Sequence, residues 1–112
     1  MIRKKIIVPH RVRSVNGSFA FLPHRFLADG FLSAMTGNEL LLYFFLVMAS
    51  DSKGLSYYSR RKICTLLKLS HEEYIDARDR LIARDLVAVD DVFFQVLELP
   101  AHPIRSLPEK CC

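Results

Sequence analysis

The stretch LSYYSRRKICTLLKLSHEEYIDARDRLIARDLVAV, residues 55–89, decides the fold because strand, helix, helix and strand signals follow one another within it. Its first five residues, 55–59, alternate and are rich in aromatic side chains, as expected of a short strand. Ser59 is suited to cap a helix over 60–68. The predicted buried face of that helix consists of Ile63, Leu66 and Leu67.

A second helix is predicted after the tight connection Lys68-Leu69. Ser70 and Glu73 have the spacing of a capping box, which places the start of the helix here. It should end near Arg84, with Asp85 in the left-handed position that glycine more often fills. One face of this helix is predicted to hold Tyr74, Ala77, the stem of Arg78, and Leu81.

Two extended runs follow, 86–89 and 92–99, and the Asp90-Asp91 pair that separates them predicts a β-hairpin. Prolines then mark residues 100–112 as a tail without periodicity. The folded domain is therefore expected to cover 17–99.

Upstream, Thr36 and Glu39 form another capping-box pattern, which predicts a helix over about 37–50. This helix is apolar almost all the way round, so it needs cover on several sides. The cover could come from residues 19–35, where a short helix or two turns fit at 24–35, or from a second subunit. A homodimer through the apolar helix 37–50 is therefore one expected assembly.

The N-terminal end of the chain is basic. Residues 1–28 hold six Arg or Lys and no acid, whereas 29–112 hold ten basic and twelve acidic residues, within a net charge of +4. Pro9 directly follows the apolar triplet Ile6-Ile7-Val8 and interrupts the short strand that it could form. Asn16-Gly17 is a turn signal, so we interpret 1–16 as an arm. Such an arm suits contact with phosphate or an acidic partner; the alternative is a solvated tail that aids solubility.

The composition argues against several classes of protein. A hydrophobic content of 51% over 112 residues predicts one small globular domain. The longest apolar run, Leu40 to Ala49, has ten residues, and a membrane span needs roughly 18 or more. Together with the lack of a signal-peptide pattern, this predicts a cytoplasmic protein without membrane association.

The residues that carry chemistry are scattered. Cys64, Cys111 and Cys112 lack Cys-x-x-Cys spacing, so neither a zinc site nor a disulfide framework is predicted, and Cys64 is interpreted as core packing. The four histidines form no cluster, and no catalytic triad, carboxylate pair or Gly-rich phosphate loop is present. The expectation is a protein that is not an enzyme and has no cofactor or metal.

The order helix, strand, helix, helix and hairpin resembles an α+β winged helix-turn-helix, with a three-helix core, a short strand and a C-terminal hairpin wing. Residues 55–89 look like such modules in small regulators and in replication-initiator or primosomal DnaD-type domains. The matching positions are Leu67, Leu69, Ser70, Ala77, Leu81, Leu86 and Val87. The resemblance implies DNA binding, with a role in transcription regulation or as an accessory factor of a mobile element or replication system.

In that family the helix over 70–84 would enter the major groove, and the residues presented to base edges would be His71, Glu72, Ile75, Asp76 and Asp79. Residues 71–84 hold three Arg and four acids, however, and Asp90-Asp91 would lie at the tip of the wing, where arginines are usual. Residues 53–68, in contrast, carry a charge of +5 and no acid. Phosphate contacts are therefore expected mainly from the N-terminal arm and from Arg60, Arg61 and Lys62, where helix N–H groups also point outward.

Two functions remain open. The first is binding of double-stranded DNA, and the second is a winged helix that associates with another protein and binds little or no DNA. Acids in the first turn of a helix can serve the helix dipole as well as a base contact, so Glu72 does not decide between them. The candidate DNA-binding residues are Arg60, Arg61, Lys62, Lys68, His71, Glu72, Ile75, Arg3, Lys4 and Lys5.

Overall fold

A computed structural model describes residues 4–11, 13–14 and 17–105 of the chain. Within them the protein is α+β, with four α-helices and one antiparallel three-stranded sheet in the order β1-β3-β2. The helices are α1 (Arg25–Ala28), α2 (Gly37–Ala49), α3 (Arg60–Leu67) and α4 (His71–Ala83). The strands are β1 (Leu55–Tyr57), β2 (Val87–Asp90) and β3 (Phe93–Val96).

The predicted starts of α2, α3 and α4 are confirmed by their N-caps, and α2 and α3 each end one residue before the predicted end. The hydroxyl oxygens of Thr36 and Ser70 accept the backbone N–H of Glu39 and Glu73, and each glutamate accepts the cap residue's N–H in return. Ser59 caps α3 by accepting the N–H of Lys62. The left-handed conformation predicted for Asp85 is also present, with φ of 62°.

The core lies where α2 packs against α4 and against the inner face of the sheet. Residues 24–35 supply part of the predicted cover for α2, because the Phe26 ring stacks on Tyr43 at 5.0 Å between centroids. The largest fully buried apolar side chains are Tyr43, Phe26, Phe94, Leu42, Leu46, Ile63, Leu81 and Leu86. Two residues of α2, Leu41 and Met48, remain exposed within the monomer.

The prediction that Leu66 belongs to the buried face of α3 is wrong. Leu66 is 53% exposed, whereas Ile63 is buried and Leu67 and Cys64 are half-buried. Since a helix turns by about 100° per residue, Cys64 and Leu67 lie on one side of Ile63 and Leu66 lies on the other. The buried sector of α3 is therefore rotated away from Leu66, toward Cys64.

A buried ion pair joins α2 to the end of α4. Glu39 has no exposed surface, and its carboxylate accepts a hydrogen bond from Arg84 Nε. Arg84 also donates to the carbonyl oxygen of Ile104. The pair lies inside the fold, where Arg84 is only 5% exposed.

The segment after β3 lies against the body through arginine side chains. Arg25 donates to the carbonyl oxygens of Leu99, Pro100 and Ala101, the second at 2.7 Å. Together with the Arg84 contact to Ile104, these bonds hold residues 99–104 beside α1 and α4. Near the other terminus, the described residues 4–11 and 13–14 are exposed, with one 3-10 turn at Pro9–Arg11.

Candidate nucleic-acid interface

A basic cluster, defined as Lys53, Arg60, Arg61, Lys62 and Lys68, extends along the chain from the turn before β1 to the end of α3. All five side chains are exposed, and none forms an ion pair with an acid in the part of the chain that the structure describes. The N–H groups of Arg60 and Arg61 lie in the first turn of α3 and so have no acceptor within the helix, whereas that of Lys62 donates to the Ser59 hydroxyl. Side-chain charge and backbone N–H groups thus coincide at the start of α3.

The start of α3 is anchored by aromatic contacts. The Lys62 ammonium lies 6.0 Å from the centroid of the Tyr58 ring, and Tyr58 packs edge-on against Phe45 of α2 at 5.1 Å. These contacts fix the connection between β1 and α3 relative to the core. Arg60 and Arg61, which follow this connection, are exposed to solvent.

The predicted base-reading residues of α4 have different environments. His71 and Glu72 are exposed at the first turn, whereas Ile75 is half-buried and packs against the core. Of these three residues, only His71 and Glu72 therefore have side chains exposed to solvent. Lys68, in the left-handed conformation with φ of 57°, joins α3 to α4 and is exposed.

The remaining acids of α4 are engaged by neighbouring groups. Asp76 pairs with Arg80 at 3.4 Å, and Asp79 pairs with Arg78 at 3.1 Å. Glu73 accepts the backbone N–H of Ser70, which lowers the pKa of its carboxyl group. Arginine charges therefore offset Asp76 and Asp79, whereas Glu73 stays ionised and Glu72 is exposed at the first turn.

The outward face of the sheet is a feature that the sequence analysis missed. Tyr57 of β1 and Phe93 of β3 are cross-strand partners, are both exposed, and have ring centroids 5.2 Å apart. The period-2 alternation of 55–59 and of the second hairpin run could have shown that these rings lie on the side opposite Ser56 and Phe94. At the hairpin tip, Asp90 and Asp91 are exposed as predicted.

Only some of the terminal residues named from the sequence are described by the structure. Lys4 and Lys5 are exposed, whereas Arg3 lies outside the described residues, as do Cys111 and Cys112.

A cavity of about 950 Å³ lies between the segment 17–23 and the body, and its wall includes Phe19, Phe21, Tyr43 and Leu99. Burial raises the pKa of Tyr43 to about 12, so its hydroxyl stays protonated at neutral pH.

Neither a metal cluster nor a membrane-spanning helix is found among the described residues. No group of three or more His, Cys, Asp or Glu side chains there is arranged to hold a metal ion. The longest helices have 13 residues, and none has the length and apolar character needed to cross a bilayer.

Comparison with known proteins gives no relative. A scan against protein-family models, a search of curated proteins and a search of solved structures each found no match.

Proposed function

We propose that this chain is a winged helix-turn-helix protein that binds double-stranded DNA mainly through phosphate contacts of the basic cluster. In this proposal α3 and α4 form the helix-turn-helix, and β2 and β3 form the wing. The sheet order β1-β3-β2, with β1 beside the hairpin, is compatible with that topology. A role as a regulator or accessory factor of a mobile element or replication system follows from the resemblance alone.

The observation that carries the proposal is the contrast in charge between α3 and α4. No side chain of the basic cluster forms an ion pair with an acid among the described residues, whereas Asp76 and Asp79 pair with Arg80 and Arg78. A polyanion is therefore attracted to the start of α3, and repulsion from α4 is reduced at Asp76 and Asp79 but remains at Glu72 and Glu73. Binding of this kind depends on phosphates, so it should be sensitive to salt and weakly selective for sequence.

A mobility shift with generic duplex DNA at low and at physiological salt tests the proposal. The wild-type protein should bind at low salt, and Arg60→Glu/Arg61→Glu should abolish the shift because it reverses charge where phosphate is expected. Lys4→Glu/Lys5→Glu measures the separate contribution of the arm. Lack of wild-type binding at low salt would rule out DNA binding as the function.

Protein association is the second candidate function, and a specific surface favours it. On α2, Leu41 and Met48 are 40% and 71% exposed, and no charged residue follows Glu39 in this helix. Two copies of such an uncharged stripe can meet without charge repulsion, so a homodimer through 37–50 is the expected assembly. Sedimentation at increasing concentration should show self-association that Met48→Glu removes; a monomer at all concentrations would exclude the homodimer, and binding of duplex DNA at low salt would exclude association with another protein in place of DNA binding.

A further inference from the structure

The outward face of the sheet carries two rows of side chains in register. The strand pairings place Leu55, Gln95 and Ala88 in one row. The other row consists of Tyr57, Phe93 and Asp90. All six side chains are exposed, because their neighbours along each strand face the core. The second row lies at the end of the sheet from which the chain enters α3.

The aromatic pair in this row leaves a large apolar surface in water. Tyr57 is 64% and Phe93 is 53% exposed, and their rings meet at an interplanar angle of 61°. A cross-strand contact of this type stabilises the pairing of β1 with β3, and it uses the side of each ring that faces the other ring. The rest of each ring is accessible to a planar ligand that stacks.

Charge is distributed unequally on the two sides of the pair. Arg60 follows Tyr57 by three residues, so their Cα atoms are separated by at most about 11 Å. On the opposite side of the row, Asp90 lies beside Phe93. A ligand with planar groups and negative charge would therefore place its charge on the β1 side, away from Asp90, where the chain continues to Arg60 and Arg61.

We propose that this face binds single-stranded nucleic acid, with unpaired bases stacked on Tyr57 and Phe93 and with phosphates held by Arg60 and Arg61. Unpaired bases offer free faces for stacking on aromatic side chains, whereas the bases of a duplex are already stacked on one another. DNA and RNA single strands share this chemistry. The inference goes beyond duplex binding because it assigns a ligand to the aromatic pair, although both modes use Arg60 and Arg61.

Fluorescence anisotropy with a labelled oligothymidine of about 12 nucleotides tests this assignment, because sites of this type cover a few to some sixteen nucleotides. The matched oligouridine is measured in parallel, and binding of either strand supports the proposal. Tyr57→Leu/Phe93→Leu keeps an apolar cross-strand contact but removes both rings, so single-strand affinity should fall on the order of tenfold or more. Leu55→Ala, on the same face but in the other row, should change it by less than about twofold.

Asp90→Asn provides a second variant that does not depend on removing the rings. It removes the negative charge beside Phe93, so it should raise single-strand affinity, most clearly at low salt. Circular dichroism of each variant checks that the fold is retained. Duplex affinity measured on the same variants should be unaffected by Tyr57→Leu/Phe93→Leu.

The outcomes separate this inference from the proposed function. If the wild-type protein binds duplex but neither oligonucleotide, the single-strand site is refuted and duplex binding stands. If it binds the oligonucleotides alone, the reverse holds. Equal affinity of wild type and the ring-free variant for both oligonucleotides, or an equal loss for duplex and single strand, would also overturn the inference.

Discussion

Glu39 illustrates how much of a residue's role is visible in a sequence. Its spacing from Thr36 predicted the capping box, and one carboxylate oxygen does accept the Thr36 N–H. The other accepts from Arg84, which is 45 residues away along the chain. Local spacing predicts a partner three residues away, but a partner on another element depends on how α2 and α4 pack. The spacing of residues along the chain therefore could not predict that Arg84 is buried.

The buried pair should be sensitive to loss of either partner. Glu39→Leu leaves the Arg84 guanidinium buried without its carboxylate and also removes one cap bond, so it should lower the free energy of unfolding by about 3–5 kcal/mol. Urea denaturation measures this change. Glu39→Leu/Arg84→Leu should recover part of the loss, and a double variant as unstable as the sum of the single variants would contradict the pairing.

Glu73 should make stability depend on pH in a defined direction. The N–H of Ser70 lowers the pKa of Glu73 in the folded protein, so its contribution is present above the ordinary glutamate pKa and is lost as pH falls through the folded value. The difference in unfolding free energy between wild type and Glu73→Gln should therefore shrink on acidification. A constant difference across that range would contradict the capping interaction.

At the scale of elements, the sequence predicted which elements form more accurately than which way they face. Caps and turn residues are local signals, so the starts of α2, α3 and α4 and the Asp90-Asp91 turn were all predictable. The rotation of α3 was not, because Ile63, Leu66 and Leu67 fit more than one buried sector on a helix of eight residues. The neighbours of α3 select the sector toward Cys64.

Paired substitutions on α3 test this rotation. Ile63→Ala should lower the free energy of unfolding by about 2–5 kcal/mol, since it leaves a cavity in the core. Leu66→Ala removes a side chain of similar size that is half in water, so its cost should be below about 1 kcal/mol. Thermal or urea unfolding of both variants gives the comparison. Equal costs would mean that Leu66 is packed.

For the whole molecule, the sequence predicted a central domain but not how its ends relate to it. Residues 99–104 are held by arginine bonds to backbone carbonyl groups, and every residue has such a carbonyl, so no side-chain pattern marks the contact. The candidate site was also only partly predictable, because one of its parts depends on contacts between segments that are distant in sequence. The charges of 53–68 are visible in the sequence, whereas the Tyr57–Phe93 row depends on the pairing of strands that are distant in sequence.

The central claim, that the basic cluster binds nucleic acid through phosphates, is tested most directly by the salt dependence of duplex affinity. A plot of log affinity against log salt should have a slope that becomes less steep by about 0.9 for each phosphate contact removed. Arg60→Gln/Arg61→Gln should therefore reduce the steepness by roughly 2, whereas Arg105→Gln, which removes one exposed charge elsewhere, should leave it nearly unchanged. A slope that is the same in Arg60→Gln/Arg61→Gln as in the wild type would contradict the claim.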